Sequence, residues 1–147
     1  MTDKTSAYLK TQILTARPEQ LTLMLFDAAL RFAGKARQSL QEKNYEGSFE
    51  ALARAEQIVI ELLNGLRPEA DPELCRRQAS LYLFVYSRLV EANMTRKIEP
   101  LDDAARVLGT LRETWLLLME KLQAEGAAGD DSASARPAVT PAVSVQG

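Results

Sequence analysis

Residues 15–32, TARPEQLTLMLFDAALRF, constrain the fold more than any other stretch, because their apolar side chains cover two adjacent faces of one helix. Pro18 fixes φ near the helical value at a position where a missing N–H does no harm, and Glu19 follows in the dipole-favoured first turn, so the helix begins there. Arg17, whose side chain has no acceptor, is a poor N-cap. Leu21, Met24, Leu25, Ala28 and Phe32 recur at helical spacing and make the expected core stripe, while Leu23, Phe26, Ala29, Leu30 and Ala33 form a second stripe beside it. Such a helix is either packed between neighbours or keeps a surplus apolar groove for a partner. The pattern leaves both open.

Composition removes most other classes of function. A chain of 147 residues that is 46% apolar and 26% charged is one soluble domain's worth. Its 18 Lys and Arg against 20 Asp and Glu leave a net charge of −2, which offers no general attraction for nucleic acid or an anionic membrane. The doublets Arg76-Arg77 and Arg96-Lys97 read as solvated helix faces. Cys75 is the single cysteine and histidine is absent, so the common zinc sets, His-based acid/base chemistry and the Glu-x-x-His pairs of di-iron bundles cannot be assembled. No phosphate loop or nucleophile elbow occurs. The expectation is a protein without catalytic residues, metal or cofactor. No stretch approaches the length of a membrane span and the N-terminus lacks an apolar signal core, so membrane insertion is not expected and the cytoplasm is the expected location.

Taken in order, residues 1–17 form an N-terminal arm in which Tyr8, Ile13 and Leu14 carry apolar bulk without a core of their own; a frayed terminus is the alternative. A first helix from about Pro18 to Gln41 ends in the polar break QEKNYEG. Asn44 caps a second, about Tyr45 to Leu66, with Phe49, Leu52, Ala55, Val59, Leu62 and Leu66 on one face and Ala51, Ile58 and Leu63 widening it. Asp71-Pro72-Glu73 opens a third, ending near Asn93, which carries Leu74, Leu81, Tyr82, Val85, Tyr86, Leu89 and Val90. Pro100 opens a fourth that holds its period through Trp115 to Leu122 and stops near Glu125, before Gly126. Trp115 reads as core by default, with a site role left open. From 126 to 147 the composition turns to Gly, Ala, Ser, Pro and Val without period, a disordered tail in which Val139, Val143 and Val145 could instead form a weak docking strand. Helices of roughly 33–39 Å joined by short links must run antiparallel. The fold class is therefore all-α: an up-down antiparallel four-helix bundle over residues 18–125, with an arm and a tail.

The segments TARPEQLTLMLFDAALRFAGKA, ARAEQIVIELLNGL, LYLFVYSRLVEAN and VLGTLRETW, in this order, resemble the flagellar secretion chaperones of the FliS family over about Tyr8 to Lys121. Thr15, Ala16, Pro18, Leu21, Met24, Leu25, Asp27, Phe32 and Ala36 match that family's opening helix. The chain departs from it at Phe26 and Phe84, where the family usually has tyrosine, at Ala28 for glycine, at Arg17 for a small cap, and in its longer tail. The resemblance implies a cytoplasmic chaperone that binds the C-terminal helical region of flagellin, prevents premature polymerisation and hands the client to the flagellar type III export gate. Together with the surplus stripes it implies a client groove of Leu23, Phe26, Leu30, Ile58, Leu62, Tyr82 and Tyr86, with Tyr8, Ile13 and Leu14 of the arm lying in that groove in a free protein that is a monomer or weak dimer. The alternative is a helical scaffold that associates with itself and has no flagellin client.

Since the stretch after Glu125 has no apolar period to offset its ordering entropy, truncation there is expected to leave the melting temperature and client affinity unchanged. A drop of several degrees in a thermal melt would show that the tail packs.

Overall fold

A computed structural model of the chain describes residues 6–8 and 17–128. Four long helices fill the second span: α1 (Pro18–Gln41), α2 (Tyr45–Asn64), α3 (Pro72–Thr95) and α4 (Ile98–Ala128). Each packs on the next and α4 closes back on α1, so α1 and α3 stand at opposite corners of an antiparallel bundle. The expected architecture is the observed one, and among the described residues there is no β-sheet.

Local chemistry sets the helix starts. At α1 the Arg17 side chain makes no cap, and instead the Arg17 backbone N–H donates to Gln20 Oε1 at 3.2 Å. Asn44 Oδ1 accepts from the Gly47 N–H and Asp71 Oδ1 from the Leu74 N–H, both at 3.1 Å. The ends are less local. α2 stops at Asn64, slightly short of Leu66; α3 runs to Thr95, past Asn93; α4 begins at Ile98 and passes through Gly126 to Ala128. A glycine lowers helix propensity by about 1 kcal/mol, too little to stop a helix already propagating. Arg96 closes α3 in the left-handed region (φ 59°), a conformation unfavourable to a side-chain-bearing residue, and its guanidinium lies 4.1 Å from the Tyr45 ring centroid, an attraction that helps hold it there.

The core differs from the expected one in α1. Leu21 is buried as expected, but Phe26, Ala29, Ala33, Ala36 and Leu40 complete the inward face, and Met24, Leu25, Ala28 and Phe32 are only half-buried. The second stripe is thus the main core stripe. Its alanines face the bundle with Ser48, Ala51 and Ala55 of α2, which are also buried, and such small residues allow two backbones to approach closely; the α1–α2 interface is the most extensive of the four. Leu52, Val59 and Leu62 continue the core on α2, Tyr82, Val85, Leu89 and Ala92 on α3, and Leu101, Ala104, Leu108, Leu111 and Trp115 on α4. Trp115 is core: it is buried and its indole Nε1–H donates to the Glu19 carbonyl at 2.9 Å, tying α4 to the first turn of α1. Phe49, expected inside, is 59% exposed.

Ion pairs fix which flanks of the helices meet. Asp27 pairs with Arg112, and Arg37 with Asp102 at 2.8 Å, along the α1–α4 seam. Arg88 of α3 pairs with Asp103 of α4 at 2.8 Å and also with Glu91 on its own helix. The Arg88 guanidinium holds the Asp103 carboxyl below the usual carboxylate range, so what this pair contributes is present above the unfolded carboxyl's pKa and is lost as the pH falls.

Two glycines make opposite predictions. A Cβ at Gly47 would stand 2.6 Å from Asn44 Nδ2 and 3.0 Å from Ser39 Oγ, whereas one at Gly34 would meet nothing within 4 Å. Gly34→Ala should stabilise the protein by about 0.5–1 kcal/mol in urea unfolding, through propensity alone. Gly47→Ala should destabilise it by about 1 kcal/mol, since displacing Asn44 costs the cap more than propensity returns. Equal effects of the two would show that the Asn44 cap is not what requires glycine.

Candidate partner-binding surface

Exposed large apolar side chains are not spread evenly over the bundle. Among the described residues α1 has none, α2 has Phe49 and Ile60, α4 has Leu117, and α3 has Leu74, Leu81, Leu83, Phe84 and Met94. Leu83 is 54% and Met94 80% exposed. Single exposed leucines are ordinary, but five large apolar side chains on the helix farthest from α1 make a surface feature.

Helical spacing and the fixed pairs sort these residues into two grooves. Leu81 and Phe84 stand seven and four residues before Arg88, whose partner is Asp103 of α4, and so share its flank toward α4. Beneath this flank lies a largely apolar cavity of about 180 Å³, lined by Leu74, Gln78 and Tyr82 of α3 and by Thr114, Trp115 and Leu118 of α4. Leu83, Tyr86 and Val90 occupy the opposite flank of α3, toward α2. On α2 the facing flank is marked by Tyr45, whose ring meets Arg96 at the end of α3, and it continues at helical spacing through Phe49, Glu56, Ile60 and Leu63. The surface is therefore a belt: α3 at its centre, an apolar groove on either side.

Of the residues expected to form a client groove, Phe26 and Tyr82 come together in one cavity and the others are spread over the bundle. Phe26, Leu62 and Tyr82 are 2%, 1% and 1% exposed; Phe26 and Tyr82, their rings 6.3 Å apart, form the inner wall of the cavity between α3 and α4, and Leu62 does not line it. Burial also pushes the Tyr82 hydroxyl's pKa up. Leu23 and Leu30 are half-buried on the flank of α1 that carries Asp27, against α4. Ile58 is half-buried on the opposite side of the bundle, four residues beyond Arg54, on the flank of α2 facing α1. Of these others only Tyr86 lies in one of the α3 grooves, half-buried. Tyr8 stands 68% exposed rather than inserted in a groove, and Ile13 and Leu14 lie outside the described residues. Of the residues that do form the belt, Phe49, Leu74 and Leu81 fall within the apolar periodicities of α2 and α3, where period alone assigns them to the core, while Leu83 and Phe84 lie outside those stripes.

Other features offer less chemistry. A cavity of about 410 Å³ between α1 and α2 is open to solvent and lined by Lys35 and Arg54 together with Glu42 and Glu50, charges that cancel. Among the described residues there is no cluster of metal-binding side chains, and no helix is long and apolar enough to cross a membrane.

The whole bundle corresponds to a known family. The family model described as flagellar protein FliS matches residues 1–122. Among curated relatives, the flagellar secretion chaperone FliS of Bacillus subtilis is 31% identical over 110 residues, covering 75% of this chain and 81% of the relative. That of Salmonella typhimurium is 28% identical, covering 77% and 84%, and the flagellar secretion chaperone FliSB of Pseudomonas aeruginosa is 25% identical, covering 73% and 85%. The match spans α1 to α3 and most of α4, and the chain belongs to the FliS family of flagellar secretion chaperones.

Proposed function

We propose that this protein binds the C-terminal helical region of flagellin in the cytoplasm, prevents its premature polymerisation and delivers it to the flagellar export gate. The observation that carries this reading is the belt of exposed apolar side chains on α3 in a member of a secretion-chaperone family. An amphipathic helix laid into either α3 groove buries its apolar face against Leu81 and Phe84 or against Phe49 and Leu83, the helix-in-groove mode of recognition. The client's own assembly uses the same kind of face, so occupation blocks polymerisation. No energy source is required, because release follows from competition for the client at the gate. In this reading the exposed Tyr8 meets the client rather than covering the empty groove.

Titration with the C-terminal peptide of flagellin from the same organism should give one-to-one binding with a negative heat-capacity change. Leu83→Ser and Phe84→Ser should each weaken it about tenfold while changing unfolding free energy by no more than about 0.5 kcal/mol, because they are surface residues in the free protein. Tyr82→Ala, by contrast, should cost about 3–5 kcal/mol of stability. A chain that ignores the peptide but dimerises through α3, with Leu83→Ser restoring the monomer in sedimentation, would establish the self-associating scaffold instead.

A further inference from the structure

Midway along the α2/α3 groove, away from the Arg96 guanidinium that lies against Tyr45 at its end, Glu56 stands among apolar side chains. Glu56 is seven residues from Phe49 and four from Ile60, both exposed, and on its inner side four from Leu52 and three from Val59, both in the core. Leu83 and Tyr86 occupy the α2 flank of α3 across from it. Glu56 as a whole is half-buried. Positions three and four residues away on its own helix are Leu52, Ala53, Val59 and Ile60, so no cation can reach it in the usual helical way. Arg54, the only arginine on α2, points to the α1 flank, where it lines the α1–α2 cavity. None of the ion pairs or side-chain hydrogen bonds among the described residues includes Glu56. Withdrawal from water accordingly raises its pKa, with no neighbouring cation opposing the shift.

An unpaired carboxylate partly removed from water costs free energy and does nothing for the bundle, where leucine or glutamine would pack at lower cost. It becomes favourable when a partner delivers a cation into the groove. We propose that the α2/α3 groove seats an amphipathic helix with one lysine or arginine set within its apolar stripe, which pairs with Glu56 while the flanking apolar residues cover Phe49, Ile60 and Leu83. This rests on the reading that the α3 belt receives a client helix, and it adds the chemical signature by which that helix is chosen. A helix with a purely apolar stripe would bury Glu56 uncompensated and be rejected, so one residue supplies both attraction for the right partner and a penalty for the wrong one.

The test uses the full chain, Glu56→Gln and Glu56→Leu, titrated with the flagellin C-terminal peptide and with versions in which each of its basic residues in turn is replaced by methionine. Glu56→Gln should bind the parent peptide about tenfold more weakly. One peptide replacement should cost about the same factor against the natural chain and nothing against Glu56→Gln, the coupling expected of a direct pair. Glu56→Leu should melt higher than the natural chain when free and yet bind less well, which a merely structural residue would not do. Equal affinity of all three proteins for the parent peptide, or absence of coupling for every basic position, would overturn the pairing and leave the client assignment standing. Failure of the natural chain to bind the peptide at all would overturn both.

Discussion

The small side chains along α1 set the spacing from which the rest of the bundle follows. Ala29, Ala33 and Ala36 are fully or almost fully buried, and with Ser48, Ala51 and Ala55 they let α1 and α2 lie close along their length. Close approach of two helices leaves less room for side chains between them, so the bulk of the core must come from elsewhere. Phe26, Tyr82 and Trp115 supply it, from α1, α3 and α4. The indole also locks α4 to the start of α1 through the Glu19 carbonyl, and two ion pairs extend the same seam. Two neighbours thus hold α1 from opposite sides.

That arrangement leaves α3 with apolar residues it cannot use internally. It stands diagonally across from α1 and packs chiefly on α2 and α4, yet its apolar residues extend around most of its circumference. Tyr82, Val85, Leu89 and Ala92 point inward, and what remains on the flanks, Leu81 and Phe84 on one and Leu83 on the other, stays about half exposed. Natural selection for stability alone would replace these with polar residues at little cost, since exposed positions contribute little to folding. Their presence on one helix is what supports the proposed association with a client. Glu56 belongs to the same logic, a charge placed where the free protein gains nothing from it.

Much of this was legible in the sequence because it is decided locally. Proline at the first helical position, Asn44 and Asp71 as caps, and apolar period together placed the four helices and their antiparallel order, and four segment resemblances in the right order indicated the family. These features depend on neighbours within a turn or two, which a linear reading sees. Which side of each helix faces inward was decided only by the tertiary structure. Periodicity fixes the angles between side chains on one helix but not the rotation of that helix about its axis, and a helix apolar over more than one face has no unique inward direction until its neighbours are in place. So Phe26, Leu62 and Tyr82, read as groove, went to the centre, while Phe49, Leu74 and Leu81, read as core, came out. The exposed apolar belt consists of what packing left over, and that remainder is a property of four helices together rather than of any one of them.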